Sequence, residues 1–199
     1  NYDFIDEVHK NYGIETIYFI LFSDYSRYDK GLSPKNIEFR KLIKEISQKY
    51  EIGIHPSFLS NKKQDKLKYE KEQLGLLITK SIIKSRQHYL CLKFPETYVN
   101  LLKLGILEDF SMGYSSHIGF RASYCLPYKF FNLKTNEETP LEIYPFALMD
   151  VCFKDYQKIK PENVLIQIKK IISSIKNVNG LFISVWHNEN LKNSRQHTN

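Results

Sequence analysis

The sequence predicts an α/β fold, because strand-like and helix-like segments alternate along its 199 residues. Residues 16–22 form a continuous apolar and aromatic run, which is typical of a strand buried on both faces. Pro161 opens a segment whose apolar residues recur at helical spacing. The chain length suits one domain, assigned to residues 1–190, and we expect the polar tail, residues 191–199, to be flexible.

Local signals in the first half predict alternating helices and strands. Phe4, Ile5 and Val8 give residues 1–11 an apolar face, and Ser33-Pro34 is typical of a helix start. A doubly wound or closed α/β fold usually begins with a strand, so we expect a fragment that lacks one or two N-terminal strands. The predicted elements are a helix over 1–11, a strand over 16–22, a helix after Pro34, a strand over Glu51–Ile54, a helix over 66–84 and a strand end over 85–90.

The second half continues the alternation. Pro95 suits the first turn of a helix that runs to Leu104, and Gly105 suits its C-terminal cap. Periodicity weakens over residues 113–140, which predicts a long loop or short strands. The remaining predicted elements are strands over 107–111, 141–153 and 180–186, and a helix that begins at Pro161.

Polar side chains stand where several predicted strands end. In an α/β fold the carboxyl ends of the strands meet on one face, where chemistry is usually placed. Imidazoles, a guanidinium and a carboxylate that meet there would suit metal-assisted or acid–base hydrolysis. Taken singly, each of these residues has an alternative interpretation, as a polar residue that only caps the end of its strand. The residues are His55, Arg86, His88, Asp109 and His187.

Two of these strand ends carry candidate metal ligands. Gly53 permits close backbone approach, and Pro56 keeps His55 out of helical geometry. Neutral imidazole is a common zinc ligand, although a histidine at a strand end can also bond only to backbone. Arg86 and His88 are two residues apart, so on an extended strand both would point to one face.

The surroundings of His187 predict opposing effects on its pKa. The ring of Trp186 could shield the imidazole from water and lower its pKa. A carboxylate, either Asp109 or Asp150, would stabilise the protonated form and raise it.

The order of these motifs resembles the polysaccharide deacetylase family, carbohydrate esterases that share the NodB homology domain. Members carry five motifs on a distorted (β/α) barrel. Glu51-Ile-Gly-Ile-His55 is similar to the second motif, which supplies metal ligands, and Arg86-Gln-His-Tyr89 is similar to the third. Asp109 is similar to the fourth motif, and Val185-Trp-His187 is similar to the fifth, whose histidine is the general acid. The likeness covers residues 15–190.

The resemblance implies metal-dependent hydrolysis of N- or O-acetyl groups on a carbohydrate, with zinc as the expected ion. It also implies a distorted barrel that lacks its first strand or strands, and an Arg86 side chain that orients an acidic partner. Exposed aromatic rings near the site would stack on sugar rings. The implied residues are His187, Arg86 and Asp109 for catalysis, His55 and His88 for the metal, and Tyr89, Tyr114 and Trp186 for the substrate.

The sequence departs from the family pattern at the metal site. Members place two aspartates in the first motif, but Asp24 and Asp29 follow the first strand in different surroundings, so we expect that motif upstream or absent. Leu59 stands where the second metal histidine is expected, and His88 could supply the missing ligand. A fragment without the first motif would be poorly active or inactive.

Composition excludes several classes of function. The net charge of +7 comes from lysines spread along predicted helices among glutamates, so we predict no nucleic-acid binding, although a modest preference for acidic glycans would follow. No apolar run is long enough to span a membrane. Three cysteines without a CxxC motif indicate reduced thiols and favour a cytoplasmic location.

Two alternatives to the enzyme hypothesis remain open at this stage. The chain could be a non-catalytic relative that keeps the fold as a sugar-binding or scaffold domain. It could also be an unrelated α/β protein with polar strand ends. Metal content distinguishes the enzyme from both, and the sequence leaves the sugar and the oligomeric state open.

Overall fold

The computed structural model describes residues 2–191, and its centre is a mostly parallel β-sheet. Strands form where the sequence is rich in β-branched and aromatic residues, as in Ile17–Ile20. The strands are β1 (Ile17–Ile20), β2 (Glu51–Ile54), β3 (Lys84–Ser85), β4 (Glu108–Asp109), β5 (Tyr128–Asn132), β6 (Glu137–Ile143), β7 (Leu148–Met149) and β8 (Ser184–Val185).

The strands form two sheets, and parallel pairing predominates. The larger sheet has the order β1-β2-β3-β4-β6-β5, in which only β5 runs antiparallel to its neighbour. β7 and β8 form a parallel pair. One chain segment joins the sheets, because β6 pairs with β4 while β7, only a few residues later, pairs with β8.

Helices connect most of the parallel strands. Asn36 caps α2 by accepting a 2.9 Å hydrogen bond from the Phe39 N–H, and Pro161 begins α5 where its missing N–H costs nothing. The helices are α1 (Tyr2–Tyr12), α2 (Ile37–Lys49), α3 (Gln64–Ile78), α4 (Glu96–Lys103) and α5 (Pro161–Lys176).

The main core lies between the larger sheet and the helices α2, α3 and α4. It includes the fully buried side chains of Ile43 from α2, Leu74 from α3 and Leu101 from α4. These pack with Ile54 of β2 and other buried aliphatic residues of the sheet. Burial of this apolar surface stabilises the sheet and fixes the directions in which its strand ends point.

The mixed α/β class is confirmed, and several predicted boundaries are corrected. The strand Glu51–Ile54 has the predicted bounds, and α5 begins at Pro161 as predicted. The helix predicted over 66–84 ends at Ile78, where Thr79 adopts a left-handed backbone conformation. Lys84 and Ser85 belong to β3. Residues 113–140 contain the antiparallel pair of β5 and the start of β6.

The closed barrel and the flexible tail are predictions that the described residues do not test. Between residues 2 and 191 the two sheets are not hydrogen-bonded into a closed ring, so the barrel stays a prediction. None of the helices in that range has the length and apolarity to cross a membrane. The flexible tail was assigned to 191–199, and all of it except Leu191 lies outside the described residues.

Candidate active site

Four of the predicted polar residues lie at the carboxyl ends of strands in the larger sheet: His55 follows β2, Arg86 and His88 follow β3, and Asp109 ends β4. Beyond the strand ends, backbone hydrogen bonds continue the ladder: the His55 N–H donates to the Ile20 carbonyl at 2.9 Å. The Arg86 N–H likewise donates to the Ile54 carbonyl at 3.0 Å. His55 and Arg86 are therefore held beside each other by main-chain geometry.

His187 follows β8 and forms a dyad with Asp150, which follows β7. Its Nδ1 lies 2.7 Å from Asp150 Oδ1, and its backbone N–H donates to Asp150 Oδ2 at 2.8 Å. Because a carboxylate only accepts, Nδ1 carries the hydrogen. Asn190 donates to Asp150 Oδ2 at 2.9 Å and helps to fix the carboxylate.

Charge and hydrogen bonding set the protonation of this dyad. The hydrogen bond to Asp150 raises the pKa of His187 above its usual value, and partial burial opposes it. Burial would raise the pKa of Asp150, but hydrogen bonds from His187 and Asn190 outweigh it and lower that pKa. The dyad therefore favours an imidazolium paired with a carboxylate.

The structure decides between the opposing effects predicted for His187. Trp186 remains half exposed and donates from Nε1 to the Ser184 hydroxyl at 3.0 Å, and the net pKa shift of His187 is upward. The carboxylate beside the imidazole is Asp150, one of the two candidates. Asp109 has no hydrogen bond to His187.

His55 and His88 form a pair of imidazoles whose ring centroids lie 4.7 Å apart. His55 Nδ1 lies 2.6 Å from the Arg86 carbonyl oxygen, and His88 Nδ1 lies 2.9 Å from Asp29 Oδ1. Both acceptors lack a hydrogen, so both Nδ1 atoms donate and, in the neutral forms, each Nε2 presents a lone pair. Within residues 2–191 neither Nε2 has a hydrogen-bond partner.

His55 is held neutral. Burial lowers its pKa to about 3, and the nearby positive charges of His88, Arg86 and His187 act in the same direction, while the hydrogen bond to Arg86 acts against them. A neutral imidazole with a free Nε2 suits a metal ion as its partner. Val185 of β8 and Leu90, which follows His88 by two residues, pack in one cluster with Phe146, so the end of β8 lies close to the imidazole pair.

Asp29 is a site residue that the sequence interpretation set aside. Its side chain is 2% exposed and accepts hydrogen bonds from the Ser26 hydroxyl, the Phe58 N–H and His88. Burial raises its pKa, but these hydrogen bonds outweigh burial and lower it. Asp29 and His88 are 59 residues apart, and no local sequence signal indicates such a contact.

Arg86 lies on aromatic rings, and within residues 2–191 it makes no bidentate pair with an acid. Its guanidinium carbon is 4.3 Å from the Phe19 ring centroid, and its Nε donates to the Phe110 carbonyl at 3.1 Å. A side chain at Gly53 would clash with the Phe19 ring at 2.5 Å, so that glycine is required. Burial lowers the pKa of Arg86 to about 10, and Asp109 partly opposes this.

The chain turns after β3, so Arg86 and His88 do not act together on one strand face. β3 ends at Ser85, and His88 begins a 3₁₀ turn that carries it to Asp29. Arg86 instead lies over Phe19. The predicted shared face is therefore wrong, although both side chains remain at this end of the sheet.

Asp109 is fully buried at the end of β4. It accepts hydrogen bonds from the Ser85 hydroxyl at 2.7 Å and from the Ser111 N–H and hydroxyl at 3.0 and 2.9 Å. Burial raises its pKa to about 6, and these hydrogen bonds and Arg86 act against that shift. Its contacts tie β3 to β4, and its role in catalysis stays a prediction.

The three predicted substrate-binding aromatics differ in their contacts. Tyr89 is exposed and stacks on His88 with a centroid distance of 4.3 Å. Tyr114 contacts only His117, at 6.2 Å, among the aromatic pairs of residues 2–191. Trp186 bonds back to Ser184. Only Tyr89 joins the imidazole pair directly.

The donor set for a metal ion is partial. Structural and catalytic zinc sites commonly use three or four protein ligands, held by hydrogen bonds from their outer atoms. His55 and His88 match this pattern, because each fixes Nδ1 and frees Nε2. Over residues 2–191, however, no group of three histidine, cysteine or acidic side chains is arranged to hold an ion.

Comparison with solved structures identifies the fold. The chain is similar to a "putative polysaccharide deacetylase" from Mycobacterium smegmatis, with a TM-score of 0.62 and 14% identity over 90% of this chain. It is also similar to a protein from Bordetella bronchiseptica with the same description, "involved in O-antigen biosynthesis", with a TM-score of 0.50 and 15% identity over 80% of this chain. No protein-family model and no curated protein matches the sequence.

These two structures identify the fold of this chain, and the chain covers only part of the length of each. The chain has the fold of polysaccharide deacetylases, as the motif order indicated. It spans 60% of the first neighbour and 57% of the second. At these identities the likeness concerns the fold, and chemistry has to be argued from the site.

Proposed function

We propose that this chain belongs to a hydrolase that removes acetyl groups from a carbohydrate. The observation that carries the proposal is the Asp150–His187 dyad, at the same end of a deacetylase-type fold as Arg86, His55 and His88. Hydrolysis of an amide or ester needs attack by water, stabilisation of the oxyanion and a proton for the leaving group. His187 and Arg86 supply the proton and the stabilising charge in this proposal, and activation of water would depend on an ion held by His55 and His88.

His187 acts as the general acid in this proposal. Its Nδ1 hydrogen is committed to Asp150, so the Nε2 hydrogen of the imidazolium is the one delivered to the leaving amine or alkoxide. Asp150 keeps the imidazole oriented and stabilises its cation, as the buried aspartate does in a catalytic triad.

Arg86 stabilises the negative charge of the tetrahedral intermediate. Phe19 covers one face of its guanidinium and the Phe110 carbonyl takes its Nε, which fixes the direction of the side chain. Its positive charge also acts to lower the pKa of both His55 and His187, which supports a shared site for the three residues. Preorganised charge of this kind is a major source of catalysis.

His55 and His88 would hold a divalent ion, with zinc favoured by their imidazole nitrogens. A bound divalent ion supplies polarisation of the acetyl carbonyl and activation of water. The two histidines provide part of a ligand set, and further ligands would come from solvent or from outside residues 2–191. Closure of the two sheets into a distorted (β/α) barrel belongs to the same proposal.

Acetate release tests the function, and metal analysis tests the ligands. We expect the full-length protein to release acetate from an N-acetylated oligosaccharide and to bind zinc or a similar ion. His55→Ala should abolish the bound ion and leave the fold intact, whereas His9→Ala, a histidine of α1, should keep it. Equal metal content in wild type and His55→Ala would defeat the ligand assignment.

A non-catalytic sugar-binding relative is the second candidate. The partial ligand set among residues 2–191 favours it. Sugar binding without acetate release at any metal concentration would support this reading over the hydrolase.

A further inference from the structure

A buried serine links the end of β4 to the turn that carries His88. Ser111 is fully buried, and its Oγ accepts the backbone N–H of Gln87 at 2.8 Å. Its hydroxyl donates to Asp109 Oδ2 at 2.9 Å, and its N–H donates to Asp109 Oδ1 at 3.0 Å. Because a backbone N–H can only donate, the hydroxyl hydrogen is committed to the carboxylate, and the directions of these bonds are fixed.

Gln87 stands between two residues of the proposed site. Arg86 precedes it and His88 follows it, and their side chains point to different partners. The Gln87 side chain is buried, and among residues 2–191 its Nε2 has no hydrogen-bond partner. What this position supplies is therefore its backbone. Its N–H is bound by Ser111, and its carbonyl accepts the Leu90 N–H at 3.0 Å.

The turn that begins at Gln87 is strained. Tyr89 and Leu90 are consecutive residues with φ of 55° and 51°, in the left-handed region that bulky side chains rarely adopt. Such a backbone persists only where its surroundings over-determine it, and strain of this kind is concentrated at functional sites. Side chains of the turn add bonds of their own, but the bond from Gln87 to Ser111 holds its main chain at the first residue. Without that bond, we expect the turn to relax.

The position of this turn sets the spacing of the imidazole pair. His55 is held by a main-chain bond at the end of β2, whereas His88 lies beyond the end of β3 and takes its position from the turn. The two ring centroids lie 4.7 Å apart. A shift of the turn would move one imidazole and leave the other in place. Two nitrogens bind one ion only when their separation fits its coordination distances.

We propose that Ser111 is a positioning residue, whose hydroxyl holds the turn so that His88 stays within reach of the ion shared with His55. The proposal rests on the proposed metal site for its consequence, and on the hydrogen bonds of Ser111 for its geometry. It gives Asp109 an indirect part in the site. Asp109 fixes Ser111, and Ser111 fixes the backbone of Gln87, where the turn begins.

Zinc affinity separates this role from a purely structural one. Zinc is titrated into the full-length protein and its variants in competition with a chelator of known affinity. Ser111→Ala should weaken zinc binding about tenfold, the lower end of the effect of losing the support of a ligand. Ser85→Ala is the matched control, because Ser85 is equally buried and donates to the same oxygen of Asp109. Among residues 2–191 its hydroxyl has no hydrogen bond to Gln87, so its loss should leave zinc affinity unchanged.

Ser111→Cys guards against a loss of folding. A thiol fills nearly the same space as the hydroxyl but accepts a hydrogen bond only weakly, so the core keeps its shape while the bond to Gln87 is lost. This variant should also lose about tenfold in zinc affinity. Urea unfolding establishes that each variant in the comparison is folded.

Hydrogen exchange of the turn, followed by NMR, tests the proposal without zinc. The Leu90 amide hydrogen and the Nδ1 hydrogen of His88 should exchange faster in Ser111→Ala than in wild type, and Ser85→Ala should leave both unchanged. A full-length protein that binds no zinc but shows this pattern would reject the metal site and keep the positioning role. Three results would overturn that role: unchanged exchange in Ser111→Ala, unchanged zinc affinity in a protein that binds zinc, or equal losses in Ser85→Ala.

Discussion

The two aspartate–histidine dyads of this protein use the same contact for different purposes. Asp150–His187 and Asp29–His88 both join a carboxylate to Nδ1, at 2.7 and 2.9 Å. His187 is 42% exposed on its side chain, whereas His88 is 17% exposed and lies against a second imidazole. The surroundings, and not the dyad itself, therefore distinguish the proposed proton donor from the proposed metal ligand.

The carboxylates differ in what they hold. Asp150 is bound by His187, Asn190 and the Val151 N–H, all close to β7 and β8. Asp29 joins its own loop to the turn at Phe58 and to His88. Loss of Asp150 should therefore change one imidazole, while loss of Asp29 should disturb both His88 and the turn at Phe58.

The largest expected effect is on turnover. His187→Asn removes the proton donor, so turnover should fall about 10²–10⁴-fold, the usual range for acid–base catalysis. Metal content should change little, because His187 belongs to the other dyad. Steady-state acetate release and metal analysis check both points. A variant that deacetylates at the wild-type rate would remove the role of His187 as general acid.

The second prediction concerns metal affinity. Asp29→Asn weakens the hydrogen bond that orients His88, and loss of such support typically lowers metal affinity about 10–100-fold. Competition with a chelator of known affinity measures the change. Asp150→Asn is the matched control and should leave metal affinity unchanged. Equal effects of the two substitutions would mean that the dyads do not have separate roles.

The third prediction concerns pH dependence. Asp150 stabilises the His187 imidazolium, so the general acid stays protonated at higher pH than a free histidine. Asp150→Asn should lower the pKa of His187, and the alkaline limb of the kcat profile should move to lower pH. NMR titration of the His187 ring measures the pKa directly. A limb that does not move would show that another group supplies the proton.

The smallest expected effect concerns Asp109, a buried aspartate without an imidazole partner. Its pKa of about 6 exceeds the unfolded value near 4, so the folded state binds the proton more tightly and stability falls as pH rises from about 4 to about 6. Asp109→Asn should remove this dependence, worth at most about 3 kcal/mol at pH 7.5. Urea unfolding at about pH 4 and at pH 7.5 measures the change in the free energy of unfolding.

Asp109→Ala is the contrast for that experiment. It leaves the hydroxyls of Ser85 and Ser111 without their acceptor and should be less stable than wild type at every pH. If Asp109→Asn were equally destabilised at pH 7.5, the negative charge would be required, and Asp109 would act as an electrostatic partner of Arg86.

Much of the site could be predicted because its residues follow strands. His55 comes directly after Glu51–Ile54, a strand whose bounds were predicted, and His187 follows the last strand. Asp109 ends β4 near the position predicted for that strand end. The prediction that Arg86 and His88 point to one strand face is wrong, because β3 is only two residues long. Its extended geometry ends at Ser85, before both residues.

The sequence by itself determined the α/β class, the carboxyl-end position of the site and the histidines that occupy it. Periodicity and turn signals are local, and they specify where an element ends and which residue follows. Only the tertiary structure decided the partners: Asp150 for His187 across 37 residues and Asp29 for His88 across 59. The physical reason is that the packing of distant strands and loops sets which carboxylate reaches which imidazole, and local periodicity carries no information about that distance.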